Sequence, residues 1–141
     1  MELTLIIPGE PCAQGRPRFS THGGFVKAYD PAKSRDYKAY VKMCAIKSMQ
    51  EQGWTLTEKA LSIEIRAFMS IPSSKSKKFK QAAALGVERP TKKPDVDNVF
   101  KILTDALSGI AYKDDKQIVD AKISKFYADE PGVEVMIKAA E

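Results

Sequence analysis

The sequence predicts a two-layer α+β fold, a small mixed β-sheet with helices packed on one face. Two kinds of pattern lead there. Four segments alternate apolar and polar residues with a period of two, which marks strands with one covered and one wetter face rather than the continuous apolar strands of a doubly wound sheet. Between them, two segments repeat apolar residues at helical spacing, so strands and helices are mixed along the chain. A length of 141 residues suits a single domain, 1–141, with one core.

In chain order, Leu3, Leu5 and Ile7 share one face of a first strand. The segment from Arg16 to Lys27 reads as an irregular arm or hairpin, with Gly23-Gly24 as a turn. Asp30-Pro31 reads as a cap followed by proline at the first helical position. The helix it opens carries Tyr37, Tyr40, Val41, Cys44 and Ser48 on one side and stops at Gly53. A second strand places Leu61, Ile63, Ile65, Ala67 and Met69 opposite Ser62, Glu64 and Arg66. Ser76 to Leu85 has helical spacing, basic at first and alanine-rich later. A further helix is expected from Asp97 to Ser108, with Val99, Leu103, Ala106 and Leu107 inward and Gly109 as stop. Val119, Ala121 and Ile123 then face away from Asp120, Lys122 and Ser124, and Val133, Val135 and Ile137 form a short last strand.

Composition removes several function classes. A single histidine, His22, cannot build the two- or three-histidine zinc sites of many hydrolases. Cys12 and Cys44 are far apart and show no metal-binding spacing, which suits a reduced cytoplasmic protein. The start of the chain lacks a signal-peptide pattern, and no apolar run is long enough for a membrane span. The charge is uneven. Lys75 to Lys93 holds seven basic residues (Lys75, Lys77, Lys78, Lys80, Arg89, Lys92 and Lys93) against one acid, Glu88, while the rest of the chain is nearly neutral. Such a patch suits a polyanion such as nucleic acid, and equally suits a solvated lysine-rich surface.

The stretch Lys92-Lys93-Pro94-Asp95-Val96-Asp97-Asn98-Val99-Phe100-Lys101 is the most informative. Pro94 keeps Lys93 out of helix and leaves Asp95 at the turn into one. Two carboxylates one residue apart can converge on a hard cation such as magnesium, which takes oxygen ligands at about 2.1 Å. Lys101, one turn past Asp97 and about 6 Å along the same face, can contact phosphate oxygens or stabilise developing charge. The plainer account is that aspartates at a helix start cap N–H groups and complement the dipole. A second acidic pair, Asp114-Asp115, precedes the next strand. If its loop doubles back, Asp95, Asp97 and one of Asp114 or Asp115 would form a three-carboxylate cage, costly without a metal to neutralise it.

The run Pro94 to Lys101, followed by Thr104-Asp105-Ala106-Leu107 and by Tyr112-Lys113-Asp114-Asp115-Lys116-Gln117-Ile118-Val119-Asp120, resembles the RusA family of Holliday junction resolvases. The likeness is close over the last third of the chain and looser at Gly15-Arg16-Pro17-Arg18-Phe19 and at the strand Leu61–Met69. It implies a homodimeric, magnesium-dependent endodeoxyribonuclease, with manganese able to stand in, that nicks opposing strands of four-way DNA junctions in recombination and repair. Members often come from prophages. Carried over residue by residue, the resemblance makes Asp95, Asp97 and Asp115 the metal-binding aspartates and Lys101 the essential lysine. It makes Asn98, Asp105, Asp114, Gln117 and Asp120 supporting residues. Arg16, Arg18, Lys75, Lys77, Lys78, Lys92 and Lys93 are the basic groups expected on DNA phosphates, and a two-fold dimer suits paired cuts on a nearly two-fold substrate. Two departures stand out: the chain start matches weakly, and the loop from Ser73 to Arg89 is longer and more basic. Two other readings remain in play. One is a magnesium nuclease of PD-(D/E)xK type using Lys116 on a strand. The other is a non-catalytic nucleic-acid-binding module, which leaves the close-set aspartates unexplained.

Overall fold

The computed structural model describes residues 1–140. Its elements run β1 (Glu2–Pro8), β2 (Arg18–Ser20), β3 (Lys27–Tyr29), α1 (Ala32–Gln52), β4 (Leu61–Ser70), α2 (Lys77–Ala84), α3 (Val96–Leu107), β5 (Ile118–Ala128) and β6 (Gly132–Ala139). The main sheet has the order β1-β6-β4-β5, and β2 and β3 form a separate two-stranded sheet. β6 is antiparallel to both β1 and β4, while β4 and β5 run parallel, so the sheet is mixed and the fold is α+β.

Alternation decides which side chains reach the core. Leu3, Leu5 and Ile7 of β1, Leu61, Ile63, Ile65 and Ala67 of β4, and Val133, Val135 and Ile137 of β6 are all buried on one face. α1 and α3 lie over that face, contributing Val41 and Ala45 from one and Val99, Ile102, Leu103, Ala106 and Leu107 from the other. Tyr37, Tyr40 and Cys44 pack half-buried against the same cluster. Trp54 is buried too, its indole N–H donating to the Ala111 carbonyl at 2.8 Å. No helix among the described residues is long and apolar enough to cross a membrane.

Two expectations change. Val119 and Ala121 were read as core-facing, yet Val119 is 60% exposed and Ala121 is exposed as well. The parity holds for Ala121 and Ile123, which pair with Ile63 and Ile65, but Val119 is skipped by a bulge in the register, where Ile118 pairs with Leu61 and Asp120 with Ser62. β5 is also the edge strand, and the hydrophobic cluster reaches only Ile118 and Ile123. Second, Asp30 does not cap α1. The helix begins at Ala32 without a side-chain cap. The Asp30 carboxylate instead accepts from Lys38 Nζ at 2.7 Å, a charge-assisted bond between two ionised groups.

The segment after α2 protects the free edge of β5. The Arg89 guanidinium donates to the Lys125 carbonyl at 2.8 Å and lies 4.1 Å from the Phe126 ring centre. Lys125 Nζ returns to the Lys92 carbonyl, and Phe79 of α2 meets Tyr127 edge-on. Covering an edge in this way blocks pairing with another strand. It also fixes the approach of the chain to Pro94 and the start of α3.

Candidate active site

The site is built on the first two turns of α3. Pro94 follows Lys93 through a cis peptide bond, and Asp95 occupies the N-cap position with extended φ/ψ. Its carboxylate makes no capping hydrogen bond, although that is the ordinary use of an aspartate there. Asp97 lies exposed in the first turn and takes part in no ion pair among the described residues. The capping part of the plain account therefore does not describe Asp95, while Asp97 in the first turn still complements the helix dipole. Lys101 reaches forward to Asp105 Oδ2 at 3.5 Å, not back to Asp97.

The return from α3 to β5 brings the second acidic pair towards this helix. Tyr112 is fully buried, and its hydroxyl donates to the Thr104 carbonyl at 2.8 Å. Burial, with the nearby Asp115, Asp105 and Asp114 carboxylates, pushes its phenol well above the ordinary tyrosine range, so it stays a neutral donor. The loop is pinned from its other side as well. Lys113 N–H donates to the Thr57 carbonyl, and Gln117 Nε2 donates to the carbonyls of Thr57 and Lys59 at 2.9 Å each. Asp114 caps the short 3-10 turn Asp115–Gln117, accepting from Lys116 N–H at 2.9 Å while Gln117 Oε1 accepts from Asp114 N–H.

That division of labour separates the two acids. The Lys116 amide holds Asp114 below the ordinary carboxylate value, whereas burial and the Asp114 and Asp105 charges push Asp115 above it, opposed by Lys101. Asp115 thus lies within electrostatic reach of Lys101 and Asp105. Asp120 lies exposed on β5 opposite Ser62. Lys116 sits in the 3-10 turn and not on a strand, so the acid–lysine strand of the PD-(D/E)xK arrangement is not formed.

Two adjoining clefts flank α3. The larger, about 800 Å³, is lined by Arg16, Arg18, Lys33, Lys93, Asp95 and Asn98 among others. The second, about 550 Å³, is bounded by Gln14, Asp30, Asn98, Lys101 and Asp105. The ridge between them is the Gln14–Pro17 segment, anchored where Gln14 N–H donates to the Asn98 carbonyl at 3.1 Å and Gly15 N–H to Ser34 Oγ at 2.9 Å. A Cβ on Gly15 would lie 2.9 Å from Pro31 Cγ, so only glycine allows this close approach.

Sequence reasoning missed the charges behind Lys101. Lys38 of α1 bridges Asp30 at 2.7 Å and Asp105 at 3.8 Å, and Gln14 Nε2 reaches Asp30 at 3.3 Å. Lys38 holds Asp30 below the ordinary carboxylate range. The result is a line of alternating charge, Asp30, Lys38, Asp105, Lys101, running from α1 to α3. Of the expected DNA-facing groups, Arg16, Arg18 and Lys93 line the larger cleft. Lys77 and Lys78 stand at the start of α2, and Lys75 lies 5.0 Å from the Phe79 ring centre.

Asp95, Asp97 and Asp115 are hard oxygen donors, the type that suits magnesium or manganese. Among the described residues, no three His, Cys, Asp or Glu side chains stand close enough together to form a ready-made metal-binding group. The close contact present is that of Lys101 with Asp105, with Asp115 within electrostatic reach of both.

Comparison with known proteins agrees with this architecture. The family model described as Endodeoxyribonuclease RusA matches residues 8–138. The chain is also 48% identical over 138 residues to a Bacillus subtilis (strain 168) protein named "Uncharacterized protein YqaN", covering 96% of this chain and 95% of the relative. The class this match defines is that of an endodeoxyribonuclease family. The chain belongs to the RusA endodeoxyribonuclease family.

Proposed function

We propose that this protein is a magnesium-dependent, structure-selective endonuclease that resolves four-way DNA junctions, acting as a homodimer in recombination and repair. The observation that carries the reading is that Asp95, Asn98, Lys101 and Asp105 line one pair of adjoining clefts, Lys101 standing 3.5 Å from Asp105 and within electrostatic reach of Asp115, and Asp95 sharing its cleft with Arg16, Arg18 and Lys93. A site rich in carboxylates repels phosphate unless a cation offsets it, and basic groups around an acidic centre suit cleavage of a phosphodiester.

In this reading Asp95, Asp97 and Asp115 would hold the ion, with Asp114 kept out of the set by its capping bond to the Lys116 amide. When bound, magnesium or manganese would neutralise phosphate charge and make a water molecule more acidic. The chain's own groups do the remaining work. Arg16, Arg18 and Lys93 draw the backbone into the cleft, and Lys101, steadied by Asp105, meets the charge that develops on the phosphate. Hydrolysis joins a water oxygen to phosphorus and breaks one P–O ester bond, leaving a phosphate monoester and a free hydroxyl.

The test is cleavage of a synthetic four-way junction against duplex and single-stranded DNA, with and without magnesium. Paired nicks confined to the junction and the divalent ion are expected. Asp95→Asn should lose cutting by at least a hundredfold while binding stays equal or tightens, because a negative charge beside the phosphate is removed. Junction binding without nicking at any magnesium or manganese concentration would make the protein a binding module instead.

A further inference from the structure

We propose that the β2–β3 hairpin is an arm that stacks on base faces left unstacked at the branch point of the DNA. The proposal rests on the junction-nuclease reading and adds a second mode of contact to it. The hairpin contributes nothing to the core: every residue of its strands is exposed but Ser20, which is half-buried. Yet it carries Phe19 at 68%, Phe25 at 77%, Val26 at 69% and Tyr29 at 46% exposure. A two-stranded hairpin without a buried face has little stability of its own, and this much apolar surface in one short arm marks a contact surface.

Charge identifies the occupant. From Gly15 to Arg35 the chain has five basic residues (Arg16, Arg18, Lys27, Lys33 and Arg35) and one acid, Asp30, which is tied to Lys38. Register sets Arg18 opposite Tyr29 and Ser20 opposite Lys27, so basic and aromatic side chains share one face of the arm, while Phe19 lies opposite Ala28 on the other. Arg18 also lines the cleft that contains Asp95, so the arm continues directly from the candidate catalytic cleft. Cationic grooves that carry exposed rings suit strands with unstacked bases, because every base offers a π-face whatever its sequence. A branch point exposes such bases and an intact duplex does not. Gly23 and Gly24, both with positive φ, let the arm reverse tightly at its tip.

The experiment measures binding of the full chain, in a chelator so that nothing is cut, to a four-way junction and to a duplex of equal length. A 2-aminopurine at the branch point reports stacking. Phe19→Ala/Phe25→Ala should bind the junction about tenfold or more weakly, as expected for lost ring–base stacking, with under a twofold change on duplex. The salt dependence should not change, since no charge is removed. Phe25→Trp should keep junction affinity and the 2-aminopurine response, whereas Phe25→Leu, apolar but without a ring, should lose both. Unchanged junction binding by the double variant, or equal losses on both substrates, overturns the proposal. So does a wild-type dimer that becomes a monomer in the double variant, which would assign the arm to a second copy of the chain. A wild-type protein that neither binds nor nicks junctions removes the functional reading and the arm together. Normal nicking with unaltered binding by the double variant removes the arm alone.

Discussion

At the scale of single residues, the site turns on which lysine works beside the acids. Lys101 lies 3.5 Å from Asp105 and within the electrostatic reach of Asp115, while Lys116 is exposed in the 3-10 turn and contributes its backbone amide to Asp114. Lys101→Ala should therefore lower junction cleavage by at least a hundredfold at unchanged stability, since the side chain is exposed and its ion pair contributes at most about 1 kcal/mol. Lys116→Ala, which retains that amide, should cut within about threefold of wild type. Single-turnover rates on a junction measure both, and the reverse order would restore the strand-lysine arrangement. Lys38 belongs to the same scale. It touches Asp105 as well as Asp30, so it positions the acid that steadies Lys101 without meeting substrate in this geometry.

At the scale of elements, the return loop after α3 decides whether the two acidic motifs meet, and it depends on one buried hydroxyl. Tyr112→Phe removes the donor to the Thr104 carbonyl. That carbonyl keeps the Ser108 amide at 3.0 Å, so the loss should be near the net value of one hydrogen bond, about 1 kcal/mol. Urea unfolding should show a lower midpoint with the same slope, and cleavage should fall further than stability alone explains as Asp115 drifts from Lys101. A variant as stable and as active as wild type would show that Gln117, bonded to Thr57 and Lys59, holds the loop by itself. The elements differ in how far they could be read beforehand. Residues 3, 5 and 7 and residues 61 to 69 alternate, and each falls on the buried face, because both strands lie under helices along their length. Residues 119 and 121 alternate just as clearly and stay exposed: Val119 because a bulge takes it out of register, Ala121 because periodicity reports which face a side chain takes and not whether anything covers that face. Asp30 has the local signature of a cap, while its partners are Lys38 further along α1 and Gln14, which the ridge folding over α3 brings to it. Asp95 and Asp97 stand out by spacing, whereas spacing leaves Asp114 and Asp115 equal; the capping bond that separates them, and the Tyr112 and Gln117 bonds that hold their loop, are made only in the folded chain.

At the scale of the whole molecule, positive charge is concentrated where it does not serve the fold. Lys77 and Lys78 open α2, whose first turn has no acid, and Ser76 supplies the cap by accepting from Phe79 N–H at 3.1 Å. Cations at a helix N-terminus oppose the macrodipole by roughly 0.3–1 kcal/mol each, so the two lysines cost stability where a solvated stabilising face would place acids. A phosphate backbone would reward both the lysines and the helix's N-terminal amides. Lys77→Gln/Lys78→Gln should consequently move two quantities in opposite directions. Thermal stability should hold or rise slightly, as repulsion at the helix start is relieved. DNA affinity should fall, with the slope of log K against log salt reduced by up to about two, on duplex and junction alike, since phosphate contacts carry little structural or sequence information. Affinity titrations across a salt series, set beside unfolding curves of the same two proteins, measure both. An unchanged salt slope together with lower stability would return the lysine-rich segment to the role of a solvated structural face.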